Sequence, residues 1–160
     1  MNKSKTKLAF LLCFLGLELL FHQNPTFAGR KDLPLENLSR IDNLSIKVDK
    51  EDCQLGLDEN EISSSVYSYL ADNNIPIDTG RTSSHILDLS VGCESNELMS
   101  IFVIDVQVNQ FINIDGVNTK VITYDNGRYG ATDSIPFDEI EKGYIPELVK
   151  QFVTDWYSVR

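Results

Sequence analysis

Apolar and polar residues alternate through the middle third of the chain. Leu87, Leu89, Val91 and Cys93 share one parity, with Asp88, Ser90 and Gly92 between them. Leu98, Phe102, Ile104, Val106 and Val108 carry the same alternation with the opposite parity. A period of two is the mark of a strand with one buried face. Pairing Cys93 with Leu98 across residues 94–97 sets Leu89 against Phe102 and Leu87 against Ile104, so the apolar faces coincide. Asp115-Gly116 is a two-residue hairpin signal. It places Ile114 opposite Val117, Ile112 opposite Thr119 and Val108 opposite Thr123. Three strands over 84–93, 98–114 and 117–125 then form an antiparallel meander. Asn126-Gly127 reads as another turn, which leaves 126–135 as a polar loop or a short extra edge.

The flanks add one strand and two helices. Leu44, Ile46 and Val48 alternate with Ser45 and Lys47, which predicts a first strand. Asp58 followed by Glu61 is an N-cap with a capping-box acid, and Ile62, Val66, Tyr69 and Leu70 continue at helical spacing. That helix ends near Asn73-Asn74, because Ile75-Pro76 cannot extend it. Ile145, Leu148, Val149, Phe152, Val153 and Trp156 form a second apolar stripe, with Pro146 in its first turn. Residues 137–143 read as a separate short turn broken at Gly143.

The predicted order is β-α-β-β-β-α. Each helix has one apolar face, and so does the sheet. The expected fold is therefore an α+β two-layer sandwich, with two helices on one face of a mainly antiparallel four-stranded sheet. Residues 41–160 make the domain, and 29–40, with Pro34 and no period, an extended lead-in. The first crossover should be right-handed. If its two strands lie parallel and adjacent, Cys53 and Cys93 each follow a strand end at the same edge.

The N-terminus sets the expected compartment. Lys3, Lys5 and Lys7 precede the apolar run from Leu8 to Leu17, and Thr26-Phe27-Ala28 offers small residues before Gly29. This is the layout of a secretory signal peptide over 1–28, cleaved after Ala28. The run is too short for a membrane span, which needs ~20 apolar residues. Leu12 stands where a lipoprotein signal needs a small residue before Cys13, so no lipid anchor is expected. The chain is expected to be exported, to the periplasm or beyond the cell. In an oxidising compartment the remaining pair, Cys53 and Cys93, reads as a disulfide. Closing a loop of ~40 residues contributes ~3–4 kcal/mol in the chain-entropy account. Two unpaired buried thiols are the alternative.

Charge narrows the partners. The formal net charge is −10, and loss of the leader's lysines makes the mature chain more negative still. Such a field repels phosphate backbones, so nucleic acid is not an expected partner. His85 is the sole histidine beyond the leader, and no C-x-x-C completes a tetrahedral metal set. No cofactor is expected. His85 as a lone general base lacks a nucleophile or orienting acid placed by any motif. Asp115, Asn118 and the acids from Asp125 to Asp133 lack calcium-hand spacing, and turn chemistry accounts for them. They leave open a metal or small-ligand binder in the acidic loops. In the expected register Asp88 and Asp105 are diagonal neighbours on the outer sheet face. Paired carboxylates can do acid–base work, so a small secreted hydrolase is a second possibility. An open sheet face, however, offers no cleft to split their pKa values.

The outer face carries the strongest hint. Ile86, Ile101, Val103, Phe111, Ile122 and Tyr124 point there in the expected register, among Asp88, Asp105, Gln107, Asn109 and Lys120. A contiguous exposed apolar patch marks an interface. Alternatively the lead-in, with Leu33, Leu35 and Leu38, folds back to cover it. The element order resembles small α/β modules of periplasmic and outer-membrane accessory proteins, such as the N-terminal module of the TolB translocation protein and lipoproteins that assist lipopolysaccharide assembly. The likeness is one of order, and no residue is carried over from it. The expectation is an exported, non-enzymatic binding module that docks a protein partner or a second copy of itself.

Overall fold

The computed structural model describes residues 33–50, 56–80, 82–96 and 98–160. The expected leader and Cys53 lie outside them. Four strands, β1 (Ser45–Asp49), β2 (His85–Ser95), β3 (Ser100–Ile114) and β4 (Val117–Thr132), form one sheet in the order β1-β2-β3-β4. β1 runs parallel to β2, and the other neighbours are antiparallel. Three helices complete the α+β fold: α1 (Glu59–Asp72), the single turn α2 (Phe137–Glu139) and α3 (Ile145–Ser158). The arrangement is a two-layer sandwich.

The two layers meet through the apolar residues that set the sequence pattern. Leu87, Leu89, Val91, Phe102, Ile104, Val106 and Val108 are buried on the inner sheet face. Leu148, Val149, Phe152, Val153 and Trp156 of α3 are buried against them, and Ile62, Val66 and Leu70 of α1 join the same core. Each such side chain contributes ~1.5–3 kcal/mol on burial, so this packing rather than helix propensity holds the layers together. α1 begins as its cap predicts. Asp58 Oδ1 accepts from the backbone N–H groups of Asn60 at 2.9 Å and Glu61 at 3.2 Å. It ends where expected too, with Asn74 at φ 55 and Ile75 N–H returning to the Leu70 carbonyl at 3.0 Å.

Four details differ from the sequence reading. First, β2 and β3 pair four residues away from the expected register: Cys93 lies opposite Phe102, Leu89 opposite Val106 and Leu87 opposite Val108. The strands run further toward their turn, which Asn96 closes by accepting from Leu98 N–H at 2.8 Å and Met99 N–H at 3.0 Å. A slip by an even number keeps every side chain on its face, so the alternation fixes the face but not the register.

Second, β4 passes straight through Asn126-Gly127 to Thr132. The hairpin keeps its expected pairs from Ile114↔Val117 to Asn109↔Ile122, and then the register shifts so that Val108 faces Tyr124. Thr123 is the extra residue, and its hydroxyl donates to the Val108 carbonyl at 3.0 Å. The bulge reverses the parity of everything beyond it.

Third, the lead-in is part of the core. Residues Leu35–Arg40 form a 3-10 turn whose Leu38 is wholly buried, as is Ile41 beyond it. The Arg160 guanidinium stacks 3.9 Å from the Trp156 ring centre and donates to the carbonyls of Leu38, at 2.9 Å, and Ile41. This segment therefore belongs to the helix side of the molecule. Fourth, Gly143 is no break: Ile140–Tyr144 form a π turn that runs directly into α3.

Asp58→Ala is expected to lower stability by ~1 kcal/mol, because two N–H groups lose their acceptor. Asp58→Asn should retain most of it. Urea denaturation of the three proteins checks this.

Candidate binding surface at the β4 edge

The bulge at Thr123 decides which residues of β4 face outward. Tyr124 turns inward, contrary to the expectation that it belongs to the outer face. Its ring meets Phe152 edge-on at 5.2 Å, and its hydroxyl donates to Asp155 Oδ2 at 3.0 Å. Asp155 is fixed from its other oxygen by Gln151 Nε2 at 2.9 Å. Burial first, then the neighbouring Asp155 charge, pushes the Tyr124 hydroxyl well above its ordinary pKa. Asp125, Gly127, Tyr129 and Ala131 take the outward positions instead, opposite Gln107, Asp105, Val103 and Ile101.

The outer face is not one apolar patch. At one end lie Ile101, Val103 and Tyr129, each about 40–50 % exposed. At the other lie Ile86, Phe111 and Ile122. Charged residues separate the two groups. Asp88 Oδ2 accepts from Asn109 Nδ2 at 3.3 Å and faces Lys120 Nζ at 3.7 Å, while Lys47 Nζ lies 3.8 Å from Oδ1.

Asp88 and Asp105 remain diagonal neighbours, but across the other diagonal, since Asp88 now faces Gln107 and Asp105 faces Ser90. Two ammonium groups hold Asp88. Asp105 is coupled to Asp125 instead, across β3 and β4. Burial chiefly, and the Asp125 charge beside it, raise the Asp105 pKa above the usual carboxylate value. Gln107 Nε2 donates to Asp125 Oδ1 at 3.3 Å. These two acids line a hollow of about 260 Å³ over Gly127, bounded also by Val103 and Tyr129. A Cβ on Gly127 would come within 2.3 Å of Asp105 Oδ1, so glycine at this strand position makes room for the carboxylate.

A larger groove of about 540 Å³ opens beside it, where β4 forms the edge of the sheet. Its floor is Phe102, Gly130 and Tyr144; its walls are Ile101, Tyr129, Ala131, Thr132 and the loop to Pro136. The Phe102 and Tyr144 rings stack with centres 5.6 Å apart. Gly130 lets Phe102 lie flat on the strand, since a Cβ there would come within 2.6 Å of the ring. The Arg128 guanidinium sits 4.0 Å from the Tyr144 ring centre and pairs with Glu147 at 3.1 Å. Tyr144 donates its hydroxyl to Glu139 Oε2 at 2.8 Å. Asp133 and Glu139 are the charged residues in the lining, and both are acidic. The volume suits a small ligand or a few side chains of a partner.

Other sequence candidates stay apart from this groove. His85 is half-buried, with Ser84 Oγ 3.3 Å from Nδ1. Burial lowers its pKa, and the Asp42 charge partly offsets the shift. Among the described residues no group of three or more metal-ligating side chains comes together. Cys93 is half-buried against the core, while Cys53 lies outside the described residues. Sequence reasoning missed Arg128, Tyr129 and Tyr144. The aromatic residues around the two glycines of β4 were the available signal, hidden by reading Asn126-Gly127 as a turn.

No known family model matches the sequence, and no curated protein is similar to it. Among solved structures, a minor lipoprotein from Acinetobacter baumannii is 11% identical, with 70% of this chain and 89% of that chain covered and a TM-score of 0.30. A hypothetical protein from Chlamydia trachomatis is 9% identical, with 73% and 92% covered and a TM-score of 0.35. Likeness at that level assigns neither activity nor partner. Among the described residues no helix is long and apolar enough to cross a membrane.

Because ionised Asp105 is disfavoured in the fold, its contribution works against stability above its raised pKa. The penalty disappears once pH falls below the ordinary carboxylate value, where both states are protonated. Asp105→Asn should therefore raise the melting temperature at pH 7, and the gain should shrink toward zero near pH 3. Thermal melts at several pH values test the sign. Gly130→Ala should cost ~1–3 kcal/mol by overpacking. In a double-mutant cycle Phe102→Leu should recover part of that cost, since it removes the ring edge that the new methyl meets.

Proposed function

We propose that the chain is an exported, non-enzymatic binding module whose partner docks on the apolar end of the outer sheet face and the adjoining groove at the β4 edge. The observation that carries this reading is the continuity of exposed Ile101, Val103 and Tyr129 with the groove floored by Phe102 and Tyr144. Apolar surface of this kind, bordered by charge, is characteristic of an interface. The hydrolase alternative loses support from the geometry. Asp88 is held by two lysines, whereas a pair of catalytic carboxylates needs one free acid and one free base.

Export and the Cys53–Cys93 bond belong to the same proposal. β1 ends with Asp49 opposite Ser90, at the end of β2 toward Cys93, which supports this reading. A non-reducing mass starting at Gly29, lighter than the reduced form by two hydrogens, is the expected result. A photo-crosslinking residue at Tyr129, introduced in the chain's own cells, should yield a discrete adduct that Val103→Asp abolishes. The same residue at exposed Tyr67 on α1 should yield none. Absence of a Tyr129 adduct in both the envelope and secreted fractions would count against the proposal.

A further inference from the structure

β4 is an edge strand, and from Asp125 to Thr132 its sequence contains neither proline nor lysine; the one cation of this stretch, Arg128, is buried and paired with Glu147. The groove opens directly onto this stretch, through Tyr129, Gly130, Ala131 and Thr132. An exposed edge beside an apolar slot is the geometry of strand addition. Main-chain hydrogen bonds then supply affinity, and the slot takes a side chain of the incoming strand. Charge selects the occupant. The groove lining holds Asp133 and Glu139 with no lysine or arginine, and the neighbouring hollow holds Asp105 and Asp125 against the single cation Arg128. The basic residues nearby are already committed, Arg128 to Glu147 and Lys142 to Asp138 at 2.9 Å.

We propose that the partner presents an extended segment alternating lysine or arginine with apolar residues, which joins the sheet beside β4 as a fifth strand and seats one apolar side chain in the groove. This rests on the binding reading given above and specifies the chemistry of its partner. A cation drawn in along the edge also comes close to Asp105 and Asp125, which line the hollow beside it. The chain's own net charge of −10 favours encounter with such a segment.

The test uses the exported chain, expressed from its full-length sequence, and short labelled peptides read by fluorescence anisotropy at low salt. A peptide alternating lysine with valine should bind. Its glutamate–valine counterpart, and a lysine–valine peptide N-methylated at alternate residues, should bind at least ~10-fold more weakly. Hydrogen exchange at residues 127–132 should slow when the lysine peptide is present. Asp133→Lys, on the exposed rim, should weaken the lysine peptide ~5-fold and reduce its salt sensitivity, with an unchanged melting temperature. Equal binding of the basic and acidic peptides overturns the proposal, as does protection, before any peptide is added, of those amides of 127–132 that do not bond β3, whether by the chain's own N-terminal residues or by a second copy. If no peptide binds while Tyr129 still crosslinks, the inferred chemistry fails and the binding reading stands; if both are silent, both fall.

Discussion

One inserted residue organises this molecule. The Asp115-Gly116 turn fixes the parity of the β3–β4 hairpin, and continued without interruption that parity would expose Tyr124 and bury Asp125. Thr123 absorbs one position and reverses the sequence of faces beyond it. Tyr124, Arg128 and Gly130 then face the helices, while Asp125, Gly127 and Tyr129 face outward. The core side gains an aromatic contact with Phe152 and a hydrogen bond to Asp155. The outer side gains the acidic hollow and the exposed apolar end.

The groove at the β4 edge is a consequence of that reversal combined with glycine. Gly130 faces inward only because of the bulge, and only glycine leaves space for the Phe102 ring there. The ring in turn stacks on Tyr144, which the π turn carries to the mouth of the groove between α2 and α3. Arg128 lies against the same tyrosine and reaches Glu147 near the start of α3. Sheet edge, ring stack and helix start are thus one mechanical unit, and the surface offered to a partner is built on well-packed supports rather than on a loose loop.

The N-terminal turn and the last residue close the opposite, helix-bearing side. Leu38 and Ile41 fill space beside α3, and Arg160 ties their carbonyls to the Trp156 face. These contacts take the candidate cover away from the outer sheet face. The exposed apolar residues there lack the shield that the sequence offered as an alternative, and this leaves the face accessible in the described part of the structure.

The sequence by itself determined the elements whose signals are local. Alternation placed the inward residues of β2 and β3, the Asp58 cap placed the start of α1, Asp115-Gly116 placed the hairpin, and the stripe from Ile145 to Trp156 placed the buried face of α3. Each rests on a period or a turn that a few neighbouring residues dictate. Only the tertiary structure decided the β2–β3 register, the bulge at Thr123, the core role of Leu38 and the diagonal approach of Asp105 to Asp125. An even slip leaves the side-chain faces unchanged, so the alternation carries no information about it. A bulge is chosen by the packing of Tyr124 against a helix that follows some twenty residues later. Gly127 reads as a turn and Gly130 as part of a loop or short edge until the carboxylate and ring that require them are in place, because their purpose lies in neighbours on another strand.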